Sequence, residues 1–121
     1  MATPQKLLKM LGTVGWFGDG AAYEGKIGRA ILRHDDTLAI DLIWGPCKYS
    51  VQLKRGDGDR FDGNWTLRSA GATLAGNVSA MLYRSSSGHL LFGEWVEENT
   101  RYRWWAELIE VANFPDETAR T

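Results

Sequence analysis

The side chains that could move a proton, hold a metal or attack a bond are few and scattered along this chain. His34 stands beside Asp35 and Asp36, residue types that suit a turn, where short polar side chains bond their own backbone. His89 has no second ligand at the spacing a zinc site needs. Cys47 falls on the apolar side of an alternating run and lacks a basic activator there, which leaves a thiol inert. Glu97 and Glu98 precede Arg101 and Arg103 across a turn, where cross-strand ion pairing accounts for them. Gly18-Asp19-Gly20 has neither the lysine nor the following helix of a phosphate loop. The expectation is therefore no metal, no cofactor and no catalytic constellation. An enzyme on this chain would be a small cyclase or isomerase working by shape and desolvation, with Arg29, Tyr49 and Tyr102 as its inward polar groups.

Binding chemistry is better represented. Six Trp, four Tyr and four Phe are many for 121 residues, and each ring buries a large area on a stiff frame. Period-two alternation assigns Tyr23, Trp44, Tyr49, Phe61, Trp65, Trp95, Tyr102 and Trp104 to one side of their strands. Arg29 joins them if strand 22–33 alternates without interruption, and a buried guanidinium would then take a ligand carboxylate. A bulge at Gly25 or Gly28 would turn Arg29 outward. Two interiors fit these residues. One is an aromatic-walled pocket for a small apolar or aromatic molecule; the other is a dry core in which Gly63, Gly76 and Gly93 make room for the rings. Indole N–H and phenol O–H groups need partners when buried, which favours the pocket.

The elements that position these residues read as strands. Residues 47–53 alternate Cys47, Tyr49, Val51 and Leu53 against Lys48, Ser50 and Gln52, and 60–68 does the same with Phe61, Gly63, Trp65 and Leu67. Further apolar sets are Leu38 to Trp44, Leu74 to Leu82 and Tyr102 to Leu108, each taken at every second residue. Gly- and Asp-rich reversals separate the runs and leave no room for crossover helices. Eight strands follow, near 13–17, 22–33, 37–44, 47–55, 59–68, 72–84, 89–97 and 101–111. A meander of that count is expected to close, because closure removes exposed edges. The fold class is thus an all-β, eight-stranded antiparallel up-and-down barrel in one domain over 1–121. Thr3-Pro4 followed by Leu7, Leu8 and Leu11 predicts a short helix over 3–11, and 113–121 reads as a solvated tail.

The meander and the elements Gly63-Asn64-Trp65 and Gly93-Glu94-Trp95 resemble the calycin barrels: lipocalins, fatty-acid-binding proteins and avidins. That resemblance implies a closed barrel holding a small hydrophobic ligand. Lipocalins carry Gly-x-Trp on the first strand, where this chain reads Gly12-Thr13-Val14-Gly15-Trp16, and no family binding residue transfers.

If Trp95 and Trp104 face inward, Met81, Tyr83, Phe92, Val96, Trp105 and Ile109 face outward as an apolar patch, which suits self-association or another protein partner. A net charge of −1 without a basic run excludes neither solubility nor small ligands but argues against nucleic acid. No apolar run reaches membrane-spanning length, the N-terminus lacks a signal-peptide core, and a lone cysteine suits a reducing compartment, so a cytoplasmic location is expected.

Overall fold

The computed structural model describes residues 7–115 except 19, 70, 71 and 87. They form β1 (Leu8–Gly18), β2 (Ala21–Leu32), β3 (Thr37–Trp44), β4 (Cys47–Arg55), β5 (Arg60–Ser69), β6 (Ala72–Arg84), β7 (His89–Glu97) and β8 (Thr100–Val111). Each strand pairs antiparallel with the next, and β8 returns to pair with β1, so the barrel closes in chain order. The turn chemistry matches this path. Glu98 and Asn99 both adopt left-handed angles (φ 47° and 66°) between the paired residues Glu97 and Thr100, a reversal whose twist suits a hairpin. Gly45 (φ 58°) before Pro46 supplies the glycine-first reversal between Trp44 and Cys47.

The N-terminal helix is not formed over the described residues. Leu8 to Leu11 open β1, and residues 3–6 lie outside the described residues. A two-turn helix carries a nucleation cost that its own few bonds do not recover, whereas here the segment gains ladder pairing to both β2 and β8. Gly12 accordingly does not stop a helix. It lies where β1 approaches β8 so closely that a Cβ would overlap the Glu107 carbonyl. The barrel therefore begins at Leu8 rather than at residue 13.

Strand β2 contains the bulge that decides where Arg29 points. Ile27 pairs with Leu42 but Arg29 with Asp41, and Gly12 pairs with Ile27 but Met10 with Ala30, so both neighbours skip one residue around Gly28. The inward set shifts from Tyr23, Gly25 and Ile27 to Ala30 and Leu32, and Arg29 turns out. Its guanidinium stacks 4.4 Å from the Phe114 ring, and the Lys9 ammonium lies 5.6 Å from the same ring. Phe114 is buried against these cations outside the main core, so the described start of the tail folds back on the wall instead of being solvated throughout.

The interior divides along the axis. Met10, Leu32, Leu38, Ile40, Leu53, Phe61, Leu82, Leu91 and Leu108 pack the end holding the β2–β3, β4–β5 and β6–β7 turns. That end is tied outside by Arg55, which bonds Asp36 and Asp59 (both 3.0 Å) and the Gly58 carbonyl, and covers the Phe61 ring at 4.9 Å. His89 closes it within, its Nε2 2.8 Å from Glu110 Oε2. The opposite end is aromatic.

Candidate functional site at the aromatic mouth

Four hairpins turn at the aromatic end, and inward residues from the strands of three of them surround a cavity of about 130 Å³. Strand β1 brings Val14 and Trp16, β2 Tyr23, β3 Leu42 and Trp44, β4 Tyr49, β7 Trp95 and Glu97, and β8 Tyr102 and Trp104. Alternation forces this convergence, because each residue lies an even number of positions from a buried one on its own strand. The rings meet at steep angles. Trp44 stands edge-on to Trp16 (5.3 Å, 82°) and to Tyr23 (5.6 Å, 75°), while Trp16 and Tyr23 stack at 5.9 Å. Across the opening, Tyr49 stands edge-on to Trp95 (5.6 Å, 78°), and Trp95 to Trp104 (6.0 Å, 72°).

Trp65 lies beneath the cavity rather than in its wall. It is fully buried, stacks on Trp95 at 5.2 Å and 15°, and donates its indole N–H to the Val96 carbonyl at 2.9 Å. Its partner across β6 is Gly76, and a Cβ there would overlap that same carbonyl. Trp104 repeats the device from the other side: it pairs with Gly93, and its indole N–H crosses that glycine to the Ser79 carbonyl at 2.9 Å. Each glycine leaves a notch through which an indole reaches the backbone of the next strand. The two deepest indoles thus need no ligand for their N–H groups, contrary to the expectation that such groups point to one.

Polar chemistry at the mouth comes from Glu97 and the phenols. Glu97 Oε1 accepts the Trp95 indole N–H at 3.2 Å. Arg101, expected to pair with it, instead lies 3.8 Å from Glu94 on the outer face. Burial, and then the charge of Glu97, push the Tyr49 hydroxyl up to about 12, so it stays protonated at neutral pH and can donate. Among the described residues, no lysine or arginine lines the cavity.

Of the expected binding residues, the structure brings together Tyr23, Trp44, Tyr49, Trp95, Tyr102 and Trp104. It sends Arg29 to the outer face, Phe61 to the packed far end and Trp65 beneath the floor. Trp16 and Glu97 were missed. Trp16 continues the inward set Met10, Val14 of β1, and Glu97 lies two residues beyond Trp95, so the same alternation marks both. On the outer face, Met81 pairs with Phe92 and Phe92 with Trp105, which lays an apolar row across β6, β7 and β8. Met81, Tyr83, Phe92 and Ile109 are exposed, while Val96 and Trp105 are half-covered. Trp105 lies over Gly15 of β1, where a Cβ would meet its ring.

Fold and site together define a closed eight-stranded antiparallel barrel, packed at one end and aromatic at the other. No family model, curated protein or solved structure matches the chain.

Proposed function

We propose that the barrel is a calycin-like binding protein that takes a small aromatic or apolar molecule into the mouth. The observation that carries this reading is a roughly 130 Å³ hollow whose walls are mostly aromatic. An apolar cavity of about 150 Å³ is enough for one benzene-sized ring. The ligand is therefore a single ring inserted among Trp16, Trp44 and Trp95, with any larger part projecting through the opening. At about 0.5 kcal/mol per heavy atom, a ten-atom probe binds with roughly 5 kcal/mol, a Kd of about 0.2 mM. Titration with 4-nitrotoluene, a single ring of ten heavy atoms that does not itself fluoresce, followed by tryptophan fluorescence, tests this. Saturable quenching that Trp44→Ala abolishes supports the reading, and a strictly linear, collisional response up to saturation overturns it.

The outer apolar row supports a second reading, self-association through β6–β8. Exposed Met81 and Phe92 and half-covered Trp105, in register on three adjacent strands, make a contiguous apolar face. Phe92→Lys converts a concentration-dependent sedimentation profile to a monomeric one if this face is the interface; a wild type that is monomeric throughout removes it.

A further inference from the structure

The mouth combines two features that a site for a neutral hydrocarbon does not need together. Its walls are electron-rich rings set at steep angles, Trp44 against Trp16 and Tyr23 on one side and Trp95 against Tyr49 on the other. Its single charged lining group is the carboxylate of Glu97, with no basic side chain beside it among the described residues. That carboxylate is held in place by the Trp95 indole N–H on Oε1, and Oε2 accepts no hydrogen bond among the described residues. A neutral apolar guest would strip water from this oxygen and return nothing, a cost of roughly 1–3 kcal/mol for a desolvated acceptor. A cation reverses the sign. It pairs with the carboxylate, and the negative faces of indole and phenol rings attract it as well.

We infer that the ligand of this mouth carries a positively charged nitrogen, a protonated amine or quaternary ammonium attached to one ring, with the cation beside Glu97 and the ring among Trp16, Trp44 and Trp95. The inference rests on the mouth being a ligand site and adds the charge class of its occupant. Anionic ligands are excluded by the same argument, since Glu97 would repel a carboxylate or phosphate. The phenol of Tyr49, kept protonated, donates to any hydroxyl the ligand carries on its ring.

Three probes of one size separate the possibilities: benzylammonium, benzyl alcohol and benzoate, each titrated into the whole chain and followed by the indole N–H resonances. Benzylammonium binds about tenfold more tightly than benzyl alcohol, as expected for one charge-assisted contact plus cation–π attraction, and benzoate does not bind. Its advantage shrinks with added salt. Glu97→Gln, which keeps an oxygen for the Trp95 N–H, removes most of that advantage, read as the ratio of the two affinities within the variant. The dispersion of its indole N–H resonances before any probe is added shows that the variant is folded. If that variant does not fold, the probe ranking and salt dependence of the wild type decide alone. Equal binding of benzylammonium and benzyl alcohol overturns the cation inference and leaves the mouth a neutral aromatic site. Binding of none of the three overturns the ligand site itself.

Discussion

Replacing Gly76 by Ala puts one methyl group where β6 lets Trp65 through to β7. The Cβ would overlap the Val96 carbonyl and crowd the Trp65 indole, so the 2.9 Å bond between them cannot survive unchanged. An indole donor buried without its acceptor costs about 1–3 kcal/mol, and overpacking a filled core costs about 1–3 kcal/mol more. The stiffer unfolded chain of Ala returns about 0.4–1 kcal/mol. The net loss is roughly 2–5 kcal/mol, a large part of the 5–15 kcal/mol typical of a domain. Gly20→Ala is the control. Gly20 has a left-handed backbone (φ 76°) but no atom near its missing Cβ, so only conformational strain of about 1–2 kcal/mol applies. Urea unfolding followed by fluorescence gives both values, and hydrogen exchange of the Trp65 indole proton reports the bond directly. The reasoning is refuted if Gly76→Ala costs no more than Gly20→Ala, or if its Trp65 indole proton stays as protected as in the wild type.

Two other outcomes follow from the ends of the barrel. Tyr49 has its pKa raised in the folded state by burial and by Glu97, so the stability it contributes is complete below about pH 10, the unfolded value, and is lost as pH climbs through about 12. The urea midpoint of the wild type should fall across that window more steeply than that of Tyr49→Phe; parallel curves would contradict the assignment. At the packed end, Arg55→Ala removes two ion pairs, a carbonyl bond and the cover over Phe61. Exposed pairs are worth little singly, so the expected loss is about 1–2 kcal/mol, with probe binding at the mouth unchanged. A loss of binding there would mean that the two ends are coupled.

The parts of this barrel legible in the sequence are those where one rule acts alone. Over 47–53 and 60–68 every second residue is apolar, and β4 and β5 bury those residues apart from the half-buried Cys47 and Gly63. Short Gly- and Asn-containing reversals likewise fix antiparallel neighbours before any contact is known. The failures occur where a distant strand overrides the local pattern. Leu7, Leu8 and Leu11 have helical spacing, but pairing with β2 and β8 draws the segment into β1. The inward side of β1 is hard to see because Gly12 and Gly18 occupy two of its positions, and so Trp16 escapes notice. Arg29 depends on a bulge at Gly28 that only the registers with β1 and β3 reveal. Glu97 looked like half of an ion pair because charge at a strand end usually is, yet its parity with Trp95 turns it into the cavity. Phe61 and Trp65 share the inward side with the mouth residues, and alternation says nothing of depth along the axis.

That division along the axis, with indoles bonded to backbone carbonyls below and indoles lining the opening above, can be measured with the six tryptophan indole N–H signals of a ¹⁵N spectrum during titration with benzylammonium. Saturating shifts at Trp16, Trp44 and Trp95, with Trp65 and Trp104 nearly fixed on their Val96 and Ser79 carbonyls, are the predicted result. Six indole signals that ignore the ligand, or a response centred on Trp65, would contradict the account.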